Sequence, residues 1–81
     1  MAPRLCRTKL GIVLYVDLSG LVYREMKRDS MVVILDEVRY WRGWEASAGP
    51  PSAVRALSPE FGSGWIIRGQ AESDVYLEEV K

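Results

Sequence analysis

No histidine occurs among the 81 residues, and there is a single cysteine, Cys6. The first absence removes the side chain that most often serves as a general base near neutral pH. One thiol builds neither an internal disulfide nor a zinc site, so the expectation is no metal, no cofactor and a reducing compartment. No apolar run approaches the ~18–20 residues that span a bilayer. The stretch Ile12 to Val16 is as long as any. The opening "MAPRLCRTK" has no apolar core of the export type, so a soluble, cytoplasmic protein without membrane contact is expected. Net charge is missing too. Eleven basic and eleven acidic residues cancel, which removes the general excess of positive charge that polyanion binders carry.

What is present is the material of one folded domain. Hydrophobic residues make up 48% and charged residues 27%, a balance that supports a core rather than a disordered chain. At this length only about 60–65% of the unfolded surface can be buried, so a single modest core is expected. The charge that cancels overall is unevenly placed. Residues 1–44 carry eight basic and five acidic side chains, +3; residues 45–81 carry three and six, −3. That polarity suits head-to-tail contact or one weakly basic face. Residues 1–9 are basic and irregular and read as an arm, with residues 10–81 as the domain. Cys6 has two readings: a reactive thiol activated by Arg4, Arg7 and Lys9, or an incidental thiol in a frayed arm.

The patterning is that of strands. "LGIVLYV" from Leu10 is β-branched and apolar, "DLSG" (Asp17 to Gly20) is a turn, and "LVYREM" returns. Across that turn Val16 is expected opposite Leu21, Leu14 opposite Tyr23, and Val13 opposite Arg24. The first strand is apolar on both faces and reads as central; the second is charged and reads as nearer an edge. "KRDS" is a charged turn, and "MVVIL" then "VRYW" flank Asp36-Glu37. A two-residue hairpin there pairs Leu35 with Val38 and Val33 with Tyr40, although neither turn residue is glycine or asparagine. One long bent strand is the alternative, and a helix over Met31 to Trp44 is disfavoured by its apolar run and β-branched residues. "GWEASAGPPSA" is a proline-rich loop. "AVRAL" is a strand or a helical turn, "SPEFGSG" a turn, "WIIR" a short strand, and "SDVYLEEV" a closing strand or brief helix. The expected fold class is all-β: a small barrel or sandwich of five to six short antiparallel strands.

"LGIVLYVD", "MVVILDEVRYW" and the terminal "YLEEV" resemble the small SH3-like barrels common among short phage proteins, over Leu10–Trp44 and Val75–Lys81. In that group an apolar "GIV" strand precedes a hairpin whose second strand ends in tryptophan, and a Leu-Glu-x-Val segment closes the barrel. The chain departs from the pattern in its glycine-free central turn and its proline-rich excursion. The resemblance implies a non-catalytic interaction or virion-associated module encoded by a phage or mobile element, placed in the host cytoplasm or the virion.

The candidate contact surface is "VRYWRGW", where aromatic and basic residues alternate. Arg39, Trp41, Arg42 and Trp44 form the candidate binding set; Tyr40 and Trp41 also have a core reading, weighed above the contact one. Small barrels bind single strands by stacking bases on outward aromatics, and other barrels bind proline-rich peptides in aromatic grooves. Enzyme signals are poor: no histidine, carboxylates only as the adjacent pairs Asp36-Glu37 and Glu78-Glu79, and no phosphate-loop lysine after Gly62 or Gly64. Tiny barrels of the plasmid-type dihydrofolate reductase kind form a site at an oligomer axis, but their glutamine-containing motif is absent and Gln70 stands alone. No catalytic residue is assigned. The leading expectation is protein–protein binding or self-association as a homo-oligomer. A nucleic-acid-binding barrel is the alternative, and an oligomeric enzyme is third.

Overall fold

The computed structural model describes residues 3–40 and 52–80. Seven strands and one short helix follow one another as β1 (Arg4–Thr8), β2 (Ile12–Tyr15), β3 (Tyr23–Met26), β4 (Met31–Tyr40), β5 (Ser52–Ser58), β6 (Gly62–Ile67), α1 (Arg68–Ala71) and β7 (Leu77–Glu79). All strands belong to one antiparallel sheet in the order β3-β2-β6-β5-β4-β1-β7.

That order and the connections together require a coiled sheet. β1 and β2 lie four places apart in the sheet but are joined only by Lys9, Leu10 and Gly11. Four places in a flat sheet span about 19 Å at ~4.8 Å per strand. Four Cα steps reach at most about 14 Å. The same holds for β3 and β4, also four places apart and joined by the Lys27–Ser30 turn, closed by Ser30 N–H donating to the Lys27 carbonyl at 3.3 Å. The sheet therefore wraps around its inner face. No ladder joins β3 to β7 among the described residues, so the sheet is open, with these two strands as its edges.

The wrapped face holds the main core, to which Cys6, Leu14, Met26, Val32, Ile66 and Leu77 contribute from six different strands. Alternation explains the selection on β2 and β4, where Ile12, Leu14, Val32 and Ile34 turn inward and the residues between them are less buried. Thr8 is a polar residue on this face and is fully buried. Its Oγ1 donates to the Lys27 carbonyl at 2.7 Å and accepts from Ser30 N–H at 2.9 Å. Its backbone closes the same turn, taking Asp29 N–H on its carbonyl at 2.8 Å and donating to the Ser30 carbonyl at 2.9 Å. Asp29 adopts a left-handed φ of 67° there, a conformation aspartate tolerates better than most residues. Leu18, Ala53 and Trp65 form a second cluster on the outer face, with Tyr15 packed against it.

Several expectations are corrected. Arg4–Thr8 is not an irregular arm but a strand paired with β4 on one side and β7 on the other. Its alternation, with Cys6 and Thr8 inward and Leu5 and Arg7 outward, was concealed by the charged positions. Asp36-Glu37 is not a hairpin turn. β4 runs unbroken through it, and the register against β5 slips between Ile34 and Val38, where Ile34 opposes Ala56 and Val38 opposes Val54. Without glycine or asparagine to take φ > 0, the acidic pair is absorbed as a bulge in the long bent strand that was the alternative. The β2–β3 register also differs by one: Leu14 opposes Arg24 and Tyr15 opposes Tyr23, because the connection is one residue longer than "DLSG". The sheet has seven strands rather than five or six, and α1, which buries only Ala71, was not foreseen.

Candidate functional site

Of the candidate binding set, Arg39 alone is described; Trp41, Arg42 and Trp44 lie outside the described residues. Arg39 sits near the end of β4 opposite Ala53, which places it on the outer face. Its guanidinium donates from Nη1 to the Val38 carbonyl at 2.9 Å, and Nη2 lies 4.0 Å from Glu37 Oε2. Both side chains of that ion pair are exposed, so it contributes little. Tyr40, given a core reading from sequence, is 63% exposed. As β4 is one continuous strand, Tyr40 falls past the last inward residue, Val38, at the strand's solvent end.

The outer face carries an aromatic row that the sequence did not reveal. Tyr23 opposes Tyr15, Tyr15 opposes Trp65, and Trp65 opposes Arg55, a straight line of cross-strand partners over β3, β2, β6 and β5. The two tyrosines meet edge to face, with centroids 6.1 Å apart and an interplanar angle of 64°. The Arg55 guanidinium lies over the Trp65 ring, 5.0 Å from its centroid, and Nη2 donates to Ser63 Oγ at 3.0 Å. Between Arg55 and the Leu18–Ala53 cluster Trp65 is buried, so its face offers no platform for a stacked base.

The other end of the row is open. The β2–β3 connection is built by Asp17, whose Oδ1 accepts from Ser19 N–H at 2.8 Å and from the Ser19 hydroxyl. Leu21 N–H in turn donates to Ser19 Oγ at 3.2 Å, and Gly20 takes φ 73°. That φ is unfavourable for residues with a Cβ, which is why glycine stands here. The turn tucks Leu18 against Trp65 and sends the following apolar residues outward: Leu21 is 82% exposed, with Val16, Val22 and Tyr23 about half exposed. These exposed apolar residues belong to one hairpin whose outer strand, β3, is an edge of the sheet. The signal in the sequence was the run "GLVY", apolar just after a glycine turn on a strand already read as near an edge.

A third feature is a groove of about 320 Å³ over the β4 bulge, lined by Arg4, Leu35, Asp36, Arg68 and Glu72 with Ile34, Val38 and Val54 at its floor. Its charges are spent internally. Arg68 Nε donates to Glu72 Oε1 at 2.8 Å, and this partner pushes the Arg68 pKa up. Arg4 Nη2 reaches the Ala71 carbonyl at 3.5 Å. Cys6 does not fit the reactive-thiol reading. It is buried in the main core, and burial raises its pKa, outweighing the opposing influence of Arg4; Glu79 raises it further. A low-pKa thiolate needs the reverse environment. Among the described residues there is no cluster of three or more metal-ligating side chains, and no helix is long and apolar enough to cross a membrane.

Taken together these features define a small all-β protein, a coiled antiparallel sheet in which Leu21, the most exposed large apolar side chain among the described residues, lies on an edge hairpin. Comparison with protein-family models, with curated proteins and with solved structures gave no match.

Proposed function

We propose that this chain is a non-catalytic protein-interaction module of the SH3-like small-barrel kind, and that it acts by self-association or by binding another protein. The observation that supports this is the exposure of Val16, Leu21, Val22 and Tyr23 on one edge hairpin. Removing such residues from water is favourable at roughly 25 cal/mol per Å², and an isolated chain leaves that gain unrealised. An edge strand beside it supplies main-chain groups for pairing. Nucleic acid is the weaker reading because Trp65, which the fold places beside Arg55, is covered rather than presented.

The test is the solution mass of the protein together with its binding to single-stranded DNA at low and raised salt. An assembly heavier than the 9.2 kDa chain, with no salt-sensitive DNA binding, supports the proposal. A monomer whose DNA affinity falls steeply with salt would overturn it in favour of the nucleic-acid barrel.

A further inference from the structure

Resting on that reading, we infer that the partner is a second copy of this chain, joined by antiparallel pairing of the two β3 edges about a two-fold axis at Tyr23. The backbone supplies the first argument. Val16 N–H donates to the Val22 carbonyl at 2.9 Å, and the β2–β3 ladder continues in step through Leu14–Arg24 and Ile12–Met26. By antiparallel alternation the main-chain groups of Val22, Arg24 and Met26 turn toward β2, and those of Tyr23 and Glu25 turn out to the edge. The Arg24 side chain reports the same geometry, since its Nη1 donates to the Tyr23 carbonyl at 3.2 Å.

Charge and shape then select the register. Centring the two-fold on Arg24 sets two guanidinium groups opposite each other, and centring it on Glu25 does the same with two carboxylates; both are unfavourable. Centring on Val22 runs the pairing into the Gly20 turn. Centring on Tyr23 sets Tyr23 against Tyr23 of the second copy, Val22 against Arg24 and Leu21 against Glu25, with no like charges opposed. It brings the exposed apolar residues of both hairpins together and keeps the outer faces level. The competing head-to-tail arrangement joins β3 to β7. On β7, Val80 N–H donates to the Leu5 carbonyl at 2.8 Å, so Leu77 and Glu79 present their backbone to the edge. These two share the core-side positions of the sheet, since Leu77 opposes Thr8 and Glu79 opposes Cys6. Antiparallel pairing of β3 with β7 would therefore align the outer face of one copy with the core face of the next. The contact is confined to one four-residue edge strand and its turn, so the dimer is weak and concentration-dependent.

Sedimentation equilibrium over a concentration series, on the full chain and three variants, decides the matter. The wild type is expected to move from the mass of one chain to that of two. Leu21→Glu, at a site too exposed to disturb the core and opposite Glu25 of the second copy, and Glu25→Pro, which loses an outward N–H on an edge strand, are each expected to weaken association at least tenfold. Reversing Glu78 and Glu79 to lysine is expected to leave it unchanged. An assembly that resists Leu21→Glu and Glu25→Pro, or one dissolved by the Glu78/Glu79 reversal, overturns the β3 pairing while leaving self-association standing. A wild type that stays a monomer to about 1 mM, where an association free energy would be only about −4 kcal/mol, overturns both.

Discussion

Replacing Gly64 with alanine probes how the β2–β3 hairpin is held to the rest of the sheet. A Cβ built at Gly64 would lie 2.6 Å from the Tyr15 carbonyl oxygen and 2.7 and 2.9 Å from Leu14 Cγ and Cδ1. The nearest of these atoms is backbone, so no rotamer change relieves the overlap; β2 must move away from β6. The two strands share only the Tyr15–Trp65 pairing, and that pairing is where the strain would fall. Overpacking of this kind costs about 1–3 kcal/mol, and a backbone obstacle puts it at the upper end. For a domain of this size, with total stability of about 4–12 kcal/mol, a loss of about 3 kcal/mol lowers Tm by roughly 12–24 °C. Thermal unfolding followed by far-UV circular dichroism measures this directly. Two other glycines calibrate the result. Gly69→Ala, with nothing within 4 Å of the added carbon, is expected to be neutral or stabilising by up to about 1 kcal/mol in α1. Gly62→Ala meets no atom either but sits at φ +84°, so a loss of about 1–2 kcal/mol is expected from backbone strain alone. If Gly64→Ala behaves like Gly69→Ala, the close approach of β2 to β6 is wrong, and with it the coiling that brings the hairpin over the core.

Thr8→Val keeps the shape of the side chain but leaves the Lys27 carbonyl and Ser30 N–H without its hydroxyl. A loss of about 1–3 kcal/mol in urea unfolding is expected, and a loss below about 0.5 kcal/mol would remove Thr8 as the pin of the β3–β4 turn. Cys6 gives a pH dependence. Its pKa in the fold is raised above its unfolded value, so its contribution is fully present below the unfolded thiol pKa of about 8.5 and is lost as pH rises through it toward the folded value. The urea midpoint is therefore expected to fall with pH across that window and to fall less in Cys6→Ala. An identical slope in the two proteins would contradict the burial argument. Labelling of the Cys6 thiol is expected to be slow in the native protein and to accelerate with urea.

Fold class was legible in the sequence because its signal is local: β-branched runs broken by turns can be counted along the chain. Strand order was not, since the coiling is imposed by the placement of β1 between β4 and β7, a contact between residues far apart in sequence. The error at residues 1–9 has a physical origin. Arg7 faces solvent and Lys9 follows the strand, while the core side of β1 carries Arg4, at the rim, and only Cys6 and Thr8 in the interior, two small side chains that carry almost no hydropathy signal. The bulge at Asp36-Glu37 was misread for a related reason, since acidic residues mark turns in most contexts but are equally at home where a long strand bends toward solvent. The apolar hairpin was visible as "GLVY", yet strand alternation alone assigned Val16 to Leu21 and hid the outward turn of Leu21. The aromatic row needed three registers at once, and no local pattern encodes those.

Amide hydrogen exchange resolved by residue, at several protein concentrations, tests most directly whether β3 is a pairing edge. Arg24 and Met26, bonded to β2, are expected to be protected at every concentration. Tyr23 and Glu25 are expected to exchange quickly when dilute and to gain protection in step with the rise in mass. Fast exchange at Tyr23 and Glu25 in a sample that is already an assembly would contradict the account, because the copies would then be joined somewhere other than this edge.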